Sequence, residues 1–448
     1  MYIRNMQKLL SYDENGLKED GLNIINSALI AADPYNATKN KVKLIDNNLM
    51  IDSLNIDITK KKRIFVLGGG KAAYLVAKAL EEILKERITK GLIILKDGYE
   101  GILEKINIIT ASHPIPNESG FKGAQKIMKL AKDANKEDLV FWINTGGISA
   151  LAPYPIDDIN LEEKKFVNEL LLSSGANIKE INTVRSHLSK IKGGKLAMEI
   201  FPAEIINLII SDNPGDPINV GPTGLDDTTF SEAISILKYY NLWQHIPNGA
   251  KKYLLESNSE LETPKDFGKF QSKIHSFMLV NNRMACLGAI EEAKKRGYNT
   301  IFLSSCIEGE SKDVAKVHIA IGKEIISSGN PIKKPACIIS GGETVVTING
   351  NGKGGRNLEF ALSSAIEIND LQNIVVISLG TDGTDGPTDA AGAIVENRTL
   401  EKASKRGLIA MNFLKNNDSY NFFRANNELI FTGHTGTNVM DIRTILIK

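Results

Sequence analysis

The stretch Ile64-Phe65-Val66-Leu67-Gly68-Gly69-Gly70-Lys71-Ala72-Ala73 decides the fold. Four apolar residues form a short strand-like run and three glycines form a turn. Ala72, Leu75, Val76, Ala79, Leu80, Ile83 and Leu84 then recur on one face of a helix. A strand, a glycine turn and a helix in that order open an α/β domain. Further apolar runs follow at Leu92 to Leu95, Ile106 to Thr110, Leu139 to Ile143 and Ile205 to Ile210. Their near-continuous apolarity predicts strands covered on both faces in a largely parallel sheet. Thr229 and Glu232 have capping-box spacing and predict a helix start.

From about Leu242 to His275 the pattern fades into polar residues with Pro247, Gly249, Pro264 and Gly268. Beyond it the alternation resumes, with strands expected at Phe277 to Val280, Ile301 to Leu303, Cys337 to Ser340, Thr344 to Ile348 and Ile374 to Leu379. A helix stripe runs through Leu358, Ala361, Leu362, Ala365 and Ile366. At about 150 residues per domain, 448 residues suit this division. The expectation is two α/β domains, residues 1–245 and 273–448, joined by a linker region over 246–272, with the active site in a cleft between them.

Composition excludes several classes. Lys and Arg number 54 against 53 Asp and Glu, so the basic excess of a general nucleic-acid binder is missing. No apolar run approaches the roughly 18 residues of a membrane helix, and no signal peptide is visible, so a cytoplasmic location is expected. Cys286, Cys306 and Cys337 are isolated and read as buried reduced thiols. His318 shares a helix face with Val314, Val317, Ile321 and Ile325 and reads as core-edge rather than catalytic. Of the 38 glycines, ten fall between Gly341 and Gly392. That clustering points to chemistry.

The Gly68-Gly69-Gly70 turn offers backbone N–H groups and the positive end of a helix dipole, which suit phosphate or carboxylate. It is not a Walker A loop, because Phe65 and Ala72 stand where Gly and Ser or Thr are needed. It matches G-x-G-x-x-A, with Asp97 where a ribose-binding acid would sit. A plain strand-to-helix turn is the bland alternative. Lys71 weighs against it, since a cation at a helix N-terminus calls for an anionic partner.

Three other loops follow strands: Ala111 to Gly120 with His113, Asn144 to Ala150 with Gly146, Gly147 and Ser149, and Ser211 to Asp216 with Asp212. The glycine pair suits phosphate or an ordinary turn, and the aspartates suit Mg²⁺ or an Asx turn. Val184 to Lys195, with Arg185 and Lys192, reads as a solvated basic helix or, through Gly193-Gly194, as an anion site. Gly350 to Asn357 reads as an anion nest around Lys353, Gly354, Gly355 and Arg356. Asp382, Asp385 and Asp389, after an apolar strand, are expensive there unless they bind a cation or move protons; their spacing is not that of an EF-hand.

Taken together, the chain resembles the glycerate 2-kinases whose C-terminal domain is of the MOFRL family. The resemblance runs from Ala31 to Arg443. It rests on GGGKAA (68–73), SHPIPNESG (112–120), TGGISAL (145–151), VRSHLSKIKGGKLA (184–197), SDNPGD (211–216), GPTGLDDTTF (221–230), GGETVVTINGNGKGGRNLEF (341–360), GTDGTDGPTDAAGA (380–393) and TGHTGTNVMD (432–441). Asn117, Ile148 and Ser186 depart from the family's usual residues, and the loop after Asp216 is shorter.

The resemblance implies a Rossmann-like N-terminal domain and ATP- and Mg²⁺-dependent phosphorylation of (R)-glycerate at its 2-hydroxyl. It carries over to Lys71 and Arg356; with these two, Asp382 is expected to be catalytic and Asp212 and Asp385 to be metal ligands. Gly68, Gly69, Gly70, His113, Gly146, Gly147, Ser149, Arg185, Lys192, Gly354, Gly355 and Asn357 would bind substrate or phosphate. Glycerate and ATP are the expected partners, without nucleic acid or membrane; a homodimer is allowed for. The alternatives are an NAD(P)-dependent hydroxypyruvate reductase and a non-catalytic sensor of a sugar-acid phosphate.

Overall fold

The computed structural model describes the chain except residues 12, 14, 100, 214, 216–220 and 257–259. Among the described residues, 15 strands form three sheets. β1 (Val42–Ile45), β2 (Asn48–Ile51) and β3 (Leu54–Asp57) make a small antiparallel sheet. The second sheet holds β4 (Ile64–Gly69), β5 (Ile88–Lys96), β6 (Ile106–Ala111), β7 (Leu139–Asn144), β8 (Glu204–Ile210) and β9 (Ile274–Val280). Their order is β6-β5-β4-β7-β8-β9, with β4 to β8 joined by parallel pairings. That order is the Rossmann one, reversing direction between β4 and β7. The opening stretch therefore forms the strand and helix (Ala73–Leu84) that it predicts.

The third sheet comprises β10 (Asn299–Phe302), β11 (Ala336–Gly342), β12 (Ile374–Gly380), β13 (Gly392–Glu396), β14 (Leu429–Ile430) and β15 (Asp441–Ile447), ordered β10-β11-β15-β12-β13-β14. β15, the last strand of the chain, lies between β11 and β12 and is antiparallel to both. Only β10 and β11 pair in parallel; this sheet is mixed.

The described residues separate into two compact units that are not contiguous in sequence: Thr38–Ile210 with Pro217–Leu279, and Met1–Ala37 with Ser211–Asp216 and Val280–Lys448. We call these the N-terminal and C-terminal units. Residues 1–37, which chain order assigns to the first domain, belong to the C-terminal unit. The reason is apolar packing: the helix Leu17–Ala31 lies on β12 and β15, so close that a Cβ on Gly21 would sit 2.9 Å from Ile377 Cδ1. The expected linker also carries structure. Helix Asn248–Glu256 buries Ala250, Tyr253 and Leu254 in a cluster with Phe230, Leu237 and Val184. Its short apolar face does not show above the polar composition around it.

Other expectations divide. Thr229 caps its helix as a capping box with Glu232, and Trp142 is wholly buried. Thr344 to Ile348 is not a strand; it meets Glu310 through one isolated bridge at Val345. Cys286 and Cys337 are buried, but Cys306 is exposed, because it lies in the loop after β10 rather than in the sheet. Among the described residues no helix is long and apolar enough to cross a membrane.

Two glycines bring β4 against β7. Gly68 has φ +144°, and a Cβ there would lie 2.2 Å from the Ile143 carbonyl oxygen. Gly70 has φ +117°, and its Cβ would lie 2.0 Å from Thr145 Oγ1. No L side chain fits either place without moving the neighbouring strand. Gly68→Ala is therefore expected to lower stability by at least about 2 kcal/mol, read as a fall in the urea midpoint; an unchanged midpoint would contradict this packing.

Candidate active site

In an open parallel sheet, ligands bind beyond the carboxyl ends of the strands where the strand order reverses. Here that place is the paired turns after β4 and β7. The Lys71 N–H donates to Gly146 O at 2.8 Å and the Thr145 N–H to Gly69 O at 3.3 Å. The Ala72 N–H donates to Thr145 Oγ1 at 3.2 Å. These bonds hold the two turns together and leave other groups unused. Among the described residues, the amides of Gly146 and Gly147, the Ser149 hydroxyl and the half-buried Lys71 ammonium have no partner. Two adjacent amides and an ammonium without a counter-ion are what an oxyanion requires.

His113 packs on the same turn. A Cβ added to Gly147 would lie 3.0 Å from His113 Cδ2 and 3.4 Å from Lys71 Cγ. Burial, then the positive charges of Lys71 and Lys96, lower the imidazole pKa from 6.5 to about 4. The ring is neutral at pH 7 and presents one N–H donor and one acceptor. Gly68, Gly69 and Gly70 serve this edge mainly through close backbone approach.

Arg185 and Lys192 stand differently from the expectation of cations at a helix start. Arg185 is in the last turn of helix Ile178–His187, where a cation suits the dipole, and Lys192 precedes the turn Gly193-Gly194 into helix Lys195–Ile200. They gather with a lysine that sequence reasoning missed, Lys164, which is buried. Lys164 donates to Leu188 O at 3.0 Å, Lys195 to Ser189 O at 3.0 Å and Arg185 to Asn168 Oδ1 at 3.0 Å. The Lys192 ammonium has no hydrogen-bond or ion-pair partner among the described residues. None of these bonds is to a carboxylate. Burial and mutual repulsion push Lys164 down to about 7 and Lys192 well below its ordinary value. Such a cluster is costly until an anion joins it.

In the C-terminal unit, the glycine loop does not form the expected wide nest. The amides of Asn349 and Gly350 donate to Asn417 Oδ1, that of Asn351 to Asn416 Oδ1, that of Gly352 to Asn416 O and that of Lys353 to Asp418 Oδ1. Lys353 stacks its ammonium 4.4 Å from the Tyr420 ring centre. Among the described residues, the donors left without a partner are the amides of Gly354, Gly355 and Arg356, at the start of helix Arg356–Glu367.

The next two N–H groups of that helix are capped from outside it. Asp385 Oδ1 accepts from the Asn357 N–H at 3.1 Å, and Oδ2 from the Leu358 N–H at 2.8 Å. Asn357 Nδ2 adds a third bond to Oδ1 at 3.2 Å. The carboxyl is 2% exposed, and burial pushes its pKa up to about 6. Asp385, expected as a metal ligand, thus has both oxygens bonded at the helix start. Gly355 is needed there, since its Cβ would lie 2.4 Å from Asp385 Cγ.

Arg356 is the cation of this edge. Its Nε donates to Asp441 Oδ2 at 2.7 Å and its Nη1 to Glu343 Oε1 at 2.6 Å. Asp441, wholly buried, also accepts from Asn357 Nδ2 at 2.9 Å and from Arg443 Nη2 at 3.1 Å. Sequence reasoning missed the roles of Asp441 and Arg443. The signal was present: two charges two residues apart place both on one face of an otherwise apolar strand.

The three aspartates after β12 do not converge. Asp382 Oδ1 accepts from the Thr384 N–H at 3.1 Å, an Asx turn, and Asp389 accepts from the Tyr420 hydroxyl at 2.7 Å. Among the described residues no three His, Cys, Asp or Glu side chains are grouped to hold a metal. Asp382 and Asp212 instead flank one turn: the Thr435 N–H donates to Asp382 O at 3.4 Å, and Asn438 Nδ2 to Asp212 Oδ2 at 3.2 Å. Both aspartates are half-buried. Asp216 lies outside the described residues.

Residues 20–255 match a domain of unknown function (DUF4147), and residues 336–441 match the MOFRL family. The chain is 40% identical to a glycerate 2-kinase of Pyrococcus horikoshii, over 95% of this chain and 96% of that one. The chain belongs to the MOFRL-type glycerate kinase family. The crystal structure of a glycerate kinase from Thermotoga maritima superposes with a TM-score of 0.86 at 35% identity, covering 97% of this chain and all of that one. A relative from Agrobacterium vitis, 35% identical over all of this chain and 98% of its own, carries a provisional hydroxypyruvate reductase name.

Two tests follow from the electrostatics of this family member. Lys192→Met is expected to raise unfolding stability by about 1 kcal/mol, because it removes an uncompensated cation, and a lower Tm would contradict the cluster's cost. His113 is expected to titrate near 4 in NMR spectra and to shift upward when an anion neutralises Lys71. Its folded pKa is the lower one, so its share of stability is complete above pH 6.5 and is lost as pH falls towards 4. A ring titrating at 6.5 would contradict its burial beside Lys71.

Proposed function

We propose that the chain transfers the terminal phosphoryl group of ATP to the 2-hydroxyl of (R)-glycerate, giving 2-phosphoglycerate and ADP. The observation that carries this reading is Lys71, an ammonium with no counter-ion beside two unpartnered amides where the strand order reverses. Membership of the glycerate kinase family supplies the substrate pair.

Phosphoryl transfer requires positioning and neutralisation of spreading charge more than covalent chemistry by the protein. We assign Lys71 and Arg356 to the glycerate carboxylate and the transferring phosphate. The amides of Gly146 and Gly147, with Ser149, would bind oxyanion oxygens. Neutral His113 would hydrogen-bond to the substrate, and Arg185 and Lys192 would neutralise phosphate charge. The glycerate O2 forms its bond to the γ-phosphorus as the bond to the β,γ-bridging oxygen breaks. The hydroxyl proton passes to Asp382, whose Oδ2 has no partner among the described residues.

Mg²⁺ fits this donor set as a phosphate-borne ion rather than a caged one. Asp212 could supply one carboxylate oxygen, and nucleotide oxygens and water the rest. Bound there, the ion would neutralise the phosphates.

The reductase reading draws on the G-x-G-x-x-A pattern at the same switch point and on Asp97 just after β5, whose Oδ2 accepts from the Ser112 hydroxyl at 2.8 Å. It leaves Arg356 and the Lys192 cluster without a role. Phosphorus-31 NMR of the product from glycerate and MgATP decides: a 2-phosphoglycerate signal is expected. NADH oxidation by hydroxypyruvate without any phosphorylated product would favour the reductase. Lys71→Ala and Arg356→Ala are each expected to lower kcat/KM by roughly 10²–10³; near-normal values would remove both residues from the assignment.

A further inference from the structure

Arg356 is held with more care than a surface cation needs. Its Nε meets a carboxylate, Asp441, whose side chain is wholly buried. Asp441 cannot turn away. Oδ1 is fixed by Asn357 Nδ2, and Oδ2 receives Arg443 Nη2 beside the Arg356 bond. The supports are fixed in turn: Ser378 donates its hydroxyl to Asn357 Oδ1 at 2.7 Å, and Asn282 Nδ2 donates to the Asp441 carbonyl at 2.8 Å. Arg443 donates to Thr344 Oγ1 at 3.0 Å and lies 5.2 Å from the Phe360 ring centre.

Ser378, Asp441 and Arg443 all belong to central strands, so this shell is rigid. The opposite edge of Arg356 is different. Nη1 meets Glu343, which is 42% exposed and can be replaced by a solvent-borne anion. One further observation separates aim from simple stabilisation. Arg443 Nε and Nη1 are buried with no hydrogen-bond partner among the described residues. A pair kept for stability alone would not leave two buried donors unsatisfied, because each unpaired group is costly.

We propose that Asp441, backed by Arg443, is a positioning residue that sets the plane of the Arg356 guanidinium so that its Nη edge faces the anionic substrate. This rests on the reading of Arg356 as an anion-binding residue. Only the Nη groups then remain to engage phosphate or carboxylate, and they do so in one orientation. The benefit belongs to the transition state, since misplacement of such a group costs rate even when charge is retained.

The test is a double-mutant cycle in the full-length chain, with Asp441→Asn, Arg356→Ala and the double variant. For each, kcat and KM for glycerate and ATP are measured with Tm. Asp441→Asn is expected to lower kcat/KM by about tenfold to a hundredfold in the wild-type background and to have no further effect on Arg356→Ala. Its loss of Tm should be similar in both. An equal loss of activity in both backgrounds would show a structural role and overturn the proposal, as would wild-type kcat/KM in Asp441→Asn. Near-normal activity of Arg356→Ala would overturn the underlying reading first, and the proposal with it. If Asp441→Asn does not fold, Arg443→Lys keeps the charge but removes the planar fork, and the same cycle with it decides between the same outcomes.

Discussion

Strand β15 runs against both of its neighbours, and the polar edge of the C-terminal unit depends on that. β11 and β12 bring their carboxyl ends to this edge, as strands of an α/β sheet do. An antiparallel strand between them brings its first residue instead: Asp441 pairs with Gly342 on one side and Gly380 on the other. A carboxylate is thereby buried at the place where the loops after β11 and β12 begin. Arg356, Arg443 and Asn357 all bond to it. Without the reversal the strand would begin at the opposite edge, and Arg356 would lose the group that fixes its Nε.

The N-terminal unit reaches a similar end by other means. Close approach at Gly68 and Gly70 joins the turns after β4 and β7 through backbone bonds, which leaves Lys71 and two amides for something else. Elsewhere in the same unit, Lys164, Arg185 and Lys192 share a poorly solvated region with no carboxylate among their hydrogen-bond partners. In both places cations stand without counter-ions, and a ligand of opposite charge lowers the energy of each.

Much of this was legible in order along the chain. The strand, glycine turn and helix at 64–84, the apolar runs behind the parallel sheet and the Thr229 capping box are local patterns, and local patterns survive into the structure. Lys71 and Arg356 stood out in the same way, because a cation at a helix start is conspicuous. The glycine-rich loop after Thr347 was misleading. Its amides looked available, but Asn416, Asn417 and Asp418, more than 60 residues away, accept from them. Asp382, Asp385 and Asp389 looked like a cluster by spacing; an Asx turn, a helix cap and a tyrosine bond draw them apart. Lys164 carried no signal, since a lysine on an amphipathic helix is ordinary until its surroundings are known.

By itself the sequence determined which segments become strands and helices, that the class is α/β, and which turns carry cations and glycines. These depend on periodicity and backbone preference, which act over a few residues. Only the tertiary structure decided that residues 1–37 pack with the C-terminal half, that β15 enters between β11 and β12, and which donors keep a partner. Those outcomes depend on side chains far apart in the chain competing for the same hydrogen bonds and the same apolar surface, and no local pattern records the winner.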